Sequence, residues 1–294
     1  MQRPSKHEFF FSMCCHIRAL LHPYRAHQEL QLKKVQLLLP PANQVQPLLP
    51  QANRPLQYIP VLQSTASLSS SLSATTKAGT TPGSMNDGRA DGVTTRYWDC
   101  CKASCAWSGK ASVINPVQTC EADGVTVVDV DEQSGCGGGK AYVCNNQQPW
   151  NISTQLSYGF AAAHIARQDE SNWCCACYSL VFTSGVIIGK ELIVQVTNTG
   201  GDLGDNQFDL QMPGGGVGIF NGCTSQFPST PTSAWGEQYG GVTQRSQCAQ
   251  LPNVLQSGCY WRFDWFQNAN NPMMRFKQVT CPDVLISKTQ CKRQ

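Results

Sequence analysis

The chain has 294 residues, with 16 cysteines, 25 glycines, 17 prolines, 14% charged side chains and a formal net charge of +3. That average divides: residues 1–90 hold nine Lys/Arg against three Asp/Glu, whereas residues 91–294 hold thirteen against sixteen, so the larger segment lacks the basic face of a nucleic-acid binder. No run approaches the roughly 18 consecutive apolar residues of a membrane-crossing helix, which excludes such a span.

Residues 1–63 read as a poorly folding leader of uncertain origin. The apolar run Phe9-Phe10-Phe11 is followed by His16 and Arg18 before a secretory hydrophobic region can form, and the short leucine runs end at Pro40 and Pro50. Either the start of the chain is mis-assigned or these residues are a fused remnant. Residues 64–90 turn to Ser, Thr, Ala, Gly and Pro, a composition that buries too little apolar surface to offset ordering entropy, and they read as a flexible linker open to O-glycosylation.

Residues 91–294 form the body, long enough for one domain with its own core. Short β-branched runs bounded by Gly, Pro or Asn predict strands at 125–130, 179–183, 192–197 and 276–280. The Ala-rich stretch 158–166 predicts a helix, and a second is predicted over 244–255, broken by Pro252. Short strands, few helices and long glycine-rich loops fit a small closed β-barrel.

Fourteen of the sixteen cysteines lie between Cys100 and Cys291. An even number at this density predicts disulfides made in an oxidising, secretory compartment. Cys174-x-x-Cys177 has zinc-like spacing, but no second such pair accompanies it and the body's one histidine is His164, so disulfides are expected and a metal is not. With thiols bridged and His164 placed on a helix surface, neither a Cys-His nor a Ser-His nucleophile is expected. Gly214-Gly215-Gly216-Val217-Gly218 lacks the Lys-Ser/Thr ending of a phosphate loop and reads as a tight turn or a surface of close backbone approach.

Carboxylates remain. Tyr97-Trp98-Asp99-Cys100-Cys101 sets an aspartate among aromatics and cysteines, and 200–210 supplies Asp202, Asp205 and Asp209, the last between Phe208 and Leu210. Burial raises a carboxyl pKa by disfavouring the charged form, and glycoside hydrolysis needs one protonated and one ionised carboxyl. From the residues alone, Asp99 and Asp209 read equally as such a pair or as hydrogen-bond acceptors for turns. Exposed aromatics can stack on sugar faces; Trp261 and Trp265, inside a dense aromatic run, are expected in the core instead.

The ordered motifs sharpen this. Thr94-Thr95-Arg96-Tyr97-Trp98-Asp99-Cys100-Cys101-Lys102-Ala103-Ser104-Cys105 resembles the opening signature of glycoside hydrolase family 45 endoglucanases. The likeness continues through Trp173-Cys174-Cys175-Ala176-Cys177-Tyr178, Gly201-Asp202-Leu203-Gly204, Phe208-Asp209-Leu210, 213–220 and 259–266. It covers 92–294 and none of 1–90.

The resemblance implies a six-stranded double-psi β-barrel with a groove across one face, and an inverting endo-attack on β-1,4-glucan. It implies Asp99 as general base, Asp209 as general acid, Asp202 as an auxiliary aspartate on a mobile loop, and Thr95, Tyr97 and Trp107 as sugar contacts. By cysteine order it implies the bridges Cys100–Cys223, Cys101–Cys136, Cys105–Cys174, Cys120–Cys144, Cys175–Cys291, Cys177–Cys281 and Cys248–Cys259. A secreted monomer without cofactor or metal is expected, acting on soluble or amorphous glucan because 1–63 show no cysteine- and aromatic-rich binding module. Some family members carry His where this chain has Gln207, so tuning of Asp209 by an imidazole is absent. Expansin-like proteins share the barrel without hydrolysing; they generally keep the acid and lack the base, so Asp99 favours hydrolysis.

Overall fold

The computed structural model describes residues 87–294; the expected leader, and the expected linker up to residue 86, lie outside the described residues. Nine strands follow in chain order: β1 (Ala90–Tyr97), β2 (Thr119–Cys120), β3 (Tyr142–Val143), β4 (Trp150–Asn151), β5 (Leu156–His164), β6 (Cys177–Phe182), β7 (Glu191–Asn198), β8 (Gln207–Gln211) and β9 (Met273–Val279). Six of them close on themselves as β1-β9-β6-β7-β5-β8, with β8 returning to β1. Two neighbouring pairs are parallel, β1 with β8 and β5 with β7; the other four are antiparallel. This is the expected six-stranded barrel of the double-psi type. The strand β4 adds a short pairing on β5, and β2 with β3 forms a separate ribbon.

Alternation builds the interior. Tyr178, Leu180 and Phe182 on β6, Leu192, Val194 and Val196 on β7, Phe208 and Leu210 on β8, and Met274 and Phe276 on β9 join one buried apolar cluster. Every second residue is therefore left for the outer face, and on β8 that residue is Asp209.

Three of the four predicted strands coincide with β6, β7 and β9. Residues 125–130 form none: Asp123 Oδ1 accepts the N–H groups of Val125 and Thr126, closing a local turn, and Val125 and Val127 are exposed with a single bridge from Val127 to Cys120. The Ala-rich helix is likewise a strand, β5. Its residues pair with β7 on one side and β8 on the other, and Phe160 to Ala163 are buried. Alanine's helix preference is only tenths of a kcal/mol per residue, too little against two ladders of backbone hydrogen bonds; small side chains also let neighbouring layers approach.

Helical structure is sparse: α1 (Glu170–Trp173), α2 (Cys223–Gln226), α3 (Gln256–Asp264) and α4 (Asp283–Thr289). The helix expected over 244–255 becomes two 3-10 turns, Arg245–Gln250 and Asn253–Leu255, divided at Pro252, and α3 starts directly afterwards. The aromatic run thus rides on α3. Trp261 and Trp265 stack on each other in the core, their indole N–H groups donating to Ser157 Oγ and the Ser153 carbonyl.

All fourteen body cysteines are bridged, in the seven pairings that the resemblance implied. Cys174 and Cys177 belong to two different bridges, so neither offers a thiolate to a metal. Bridges that close loops of roughly 100 residues restrict the unfolded chain most, by about 4–5 kcal/mol each in the chain-entropy account. Among the described residues no helix is long and apolar enough to cross a membrane.

Candidate active site

The site is built where β1 ends. Parallel pairing sets Thr95 beside Asp209 and Tyr97 beside Gln211, and β5 places Ala162 on the other side of Asp209. Thr95, Asp209 and Ala162 therefore lie in one row across three strands, and the alanine leaves the carboxyl uncrowded. Asp99 follows β1 by two residues. Its backbone is held at three points: Trp98 N–H donates to the Gly216 carbonyl at 2.7 Å, Gly222 N–H donates to the Asp99 carbonyl at 2.9 Å, and Cys100 is bridged to Cys223. Cys100 adopts a left-handed φ of 65°, which turns the chain so that Asp99 Oδ1 accepts Cys101 N–H at 2.9 Å.

The glycine loop proves to be a surface of close approach. A methyl group on Gly215 would stand 2.9 Å from the Tyr97 nitrogen, and one on Gly241 would stand 1.9 Å from the Gly214 carbonyl oxygen. Only bare backbone allows Gly215 to pack against the end of β1 and Gly240 and Gly241 to pack against Gly214 and Gly216.

Asp99 and Asp209 line a single cleft of about 320 Å³, together with Tyr97, Lys102, Trp107 and Asp202. A second cleft of about 270 Å³ shares Tyr97, Asp202, Asp209 and Gly218 with it and continues past Thr95, Arg96 and Tyr239. Asp209 thus sits between two hollows, with Asp99 in only one of them. That is a groove able to hold an extended chain on both sides of Asp209.

Burial pushes the Asp209 carboxyl up to about 7, against a hydrogen bond from Thr95; the negative charges of Asp202 and Asp99 push it further and the Arg96 guanidinium opposes them. Asp209 Oδ1 is buried and has no hydrogen-bond partner, a setting that favours the neutral acid. Burial also raises Asp99, to about 6, and the Cys101 N–H resists that rise by stabilising the ionised form. Burial therefore lifts Asp209 further than Asp99, and neither keeps an ordinary aspartate value.

The other predicted residues divide. Asp202 is exposed and lines both clefts. Thr95 Oγ1 accepts the Gln207 side-chain amide at 3.0 Å. Trp107 is half-buried on the cleft wall. Tyr97 offers only its ring, because its hydroxyl donates to Gln211 Oε1 and accepts from Asn198 Nδ2, both at 3.2 Å. His164 is no helix-surface residue: it ends β5, with Nδ1 3.2 Å from the Gly204 carbonyl oxygen and its ring edge-on to Trp173.

Two cleft residues escaped the sequence reading. Lys102 is 5% exposed; its ammonium donates to the carbonyls of Val130 and Glu132 and lies 3.4 Å from the centroid of the Trp107 ring. Arg96 donates to the Gly240 carbonyl and to the side chains of Asn270 and Asn271. Their positions in the opening motif were visible, but their partners lie 28 to 175 residues away along the chain.

Against known proteins, the family model of glycosyl hydrolase family 45 matches residues 91–292. The chain is 59% identical over 202 residues to an endoglucanase of Cryptopygus antarcticus, covering 69% of this chain and 89% of that protein. It is 48% identical over 204 residues to an endoglucanase of Phaedon cochleariae, covering 68% of this chain and 83% of that one. Among solved structures, the cellulase of the Antarctic springtail Cryptopygus antarcticus superposes with a TM-score of 0.67 at 58% identity, over 70% of this chain and 98% of that one.

Proposed function

The chain belongs to glycosyl hydrolase family 45, and from that premise we propose how its cleft divides the labour of hydrolysis between two aspartates. Membership makes it an endoglucanase that cleaves β-1,4-glucan internally. In the proposed mechanism the protonated Asp209 donates its proton to the glycosidic oxygen as the C1–O bond breaks. The ionised Asp99 takes a proton from a water that attacks C1 from the opposite face. The new C1–O bond inverts the anomeric carbon, giving an α-product from a β-linkage. Asp99 then holds the proton taken from the water while Asp209 is left ionised, and proton exchange with solvent resets the pair.

One observation carries this reading: both carboxyls line one cleft, and Asp209 holds its proton to a higher pH than Asp99. That order favours the state in which the acid is protonated while the base is ionised, as inversion requires. Such a mechanism calls for carboxyls roughly 6.5–9.5 Å apart, so that a water fits between base and sugar. Thr95, the Tyr97 ring and Trp107 would contact the glucosyl units, and Asp202 would hold Asp209 protonated by like charge. Seven disulfides favour release into an oxidising, extracellular setting, where the protein would act as a monomer on glucan without cofactor or metal. Residues 1–63 and 64–90 would then be a leader and a linker ahead of the catalytic domain.

Asp99→Asn and Asp209→Asn should each lower turnover on carboxymethyl-cellulose by about 10²–10⁴-fold, the usual contribution of general acid–base catalysis. Near-normal turnover in either variant would remove that residue from its role. Proton NMR of the nascent reducing end should show the α-anomer first; the β-anomer first would contradict inversion.

A further inference from the structure

We propose that Gln207 is a positioning residue, whose side chain ties the loop carrying Asp202 to the hydroxyl that faces Asp209. The inference rests on the reading of Asp209 as the acid. Gln207 opens β8 and has two polar ends, and each has a fixed partner. Its Oε1 accepts the N–H of Gly204 at 2.9 Å, inside the loop between β7 and β8. Its Nε2 donates to Thr95 Oγ1 at 3.0 Å. The same loop places Gly200, Gly201 and Asp202 on the first cleft and Asp202 and Leu203 on the second.

The direction of these bonds matters. A threonine hydroxyl has one hydrogen, and when its oxygen accepts the glutamine amide that hydrogen must be donated elsewhere. Asp209 stands directly beside Thr95 in the β1–β8 pairing and is the acceptor at hand, and the Thr95 hydroxyl is the first influence opposing the effect of burial on its carboxyl. Gly204 N–H, Gln207 amide and Thr95 hydroxyl thus all donate in the same sense, toward the acid. A glutamine cannot reverse this sense by titrating, so it holds across the whole pH range.

The charges that bear on Asp209 are kept constant in the test: Asp99 and Arg96 from the β1 side and Asp202 from the loop; the Tyr97 phenol on β1 stays neutral, its proton held by burial and by the charges of Asp99 and Asp209. His164, across the β5–β8 ladder from Gln207, contacts the Gly204 carbonyl and lies 3.7 Å from Asp205. It therefore holds the same loop residue from its other side, and a His164→Gln background separates its contribution from that of Gln207. Any movement of the loop against bound sugar would pull on Gly204 and so reach the proton on Asp209 through Gln207 and Thr95.

The test is the pH profile of kcat/KM on a soluble cello-oligosaccharide, using the full chain. Gln207→Leu and Thr95→Val should each move the upper limb to higher pH by about 0.5–1 unit, the change expected from losing one hydrogen bond to the ionised form. The double variant should move it no further than either single one. An unmoved limb in Gln207→Leu, or additive shifts in the double variant, would overturn the proposal. A second measurement needs no variant: in the wild-type protein the Gln207 side-chain amide NMR signals should titrate with the midpoint of the upper limb, and signals flat through that range would equally overturn it. The parent reading fails differently, since an unchanged profile in Asp209→Asn would dismiss Asp209 as the acid whatever Gln207 does.

Discussion

Replacing Asp209 by asparagine should stabilise the folded protein at pH 8 and leave its stability at pH 4 almost unchanged. Folding lifts this carboxyl from an ordinary 3.8 to about 7. Between those values the folded chain keeps a proton that the unfolded chain releases, so stability is fully present below about 4, declines as pH rises, and levels off above about 7. About three pKa units at about 1.4 kcal/mol each set a ceiling of about 4 kcal/mol. The carboxyl is half-buried, with an edge open to the cleft, and solvent screening there brings the expected gain to about 1–3 kcal/mol. Asparagine has nearly the same shape and no proton to lose, so it removes the decline. For a domain of about 200 residues, 1 kcal/mol shifts Tm by about 2–4 °C, so melts at pH 4, 6 and 8 should show the variant drawing ahead of wild type as pH rises. Equal gains at pH 4 and pH 8, or a less stable variant at pH 8, would refute the claim that burial of this charge costs the fold stability.

Three further outcomes follow from the same geometry. The kcat/KM profile should be bell-shaped with apparent limbs near about 6 and about 7, belonging to the coupled pair, and Asp202→Asn should draw the upper limb downward because a like charge beside Asp209 is removed. Trp107→Ala should raise KM more than it lowers kcat, measured on a series of cello-oligosaccharides, as loss of a binding surface away from the reacting bond would. Gly241→Ala should lower the melting temperature sharply or prevent folding, because its Cβ would lie 1.9 Å from the Gly214 oxygen at a φ of +69°; Gly138→Ala, with φ +85° and nothing within 4 Å, should cost only about 1 kcal/mol.

Residue types and their local spacing were enough for several features. Short β-branched runs bounded by turn residues marked β6, β7 and β9, since branched side chains pack well on a pleated, half-buried surface. Fourteen cysteines in 204 residues pointed to an oxidised framework, and the Tyr97–Cys101 motif singled out Asp99 by its unusually apolar surroundings. Aspartates 99 and 209, 110 positions apart, could be nominated because each lies in a motif legible alone.

Tertiary pairing decided the rest. The alanines of β5 favour a helix locally and become a strand because β7 and β8 hydrogen-bond to it from both sides, and no window of sequence contains those partners. Residues 125–130 have a strand's composition, but the Asp123 turn takes the N–H groups of Val125 and Thr126, and what remains of the pairing with β2 is the bridge from Val127 to Cys120 and the Val128 N–H donating to the Thr119 carbonyl. The proton affinities of Asp99 and Asp209 are likewise collective, arising from burial, the Cys101 N–H, Thr95, Arg96 and Asp202. A carboxyl's chemistry is set by which groups surround it in space, and that neighbourhood exists only once the barrel has closed.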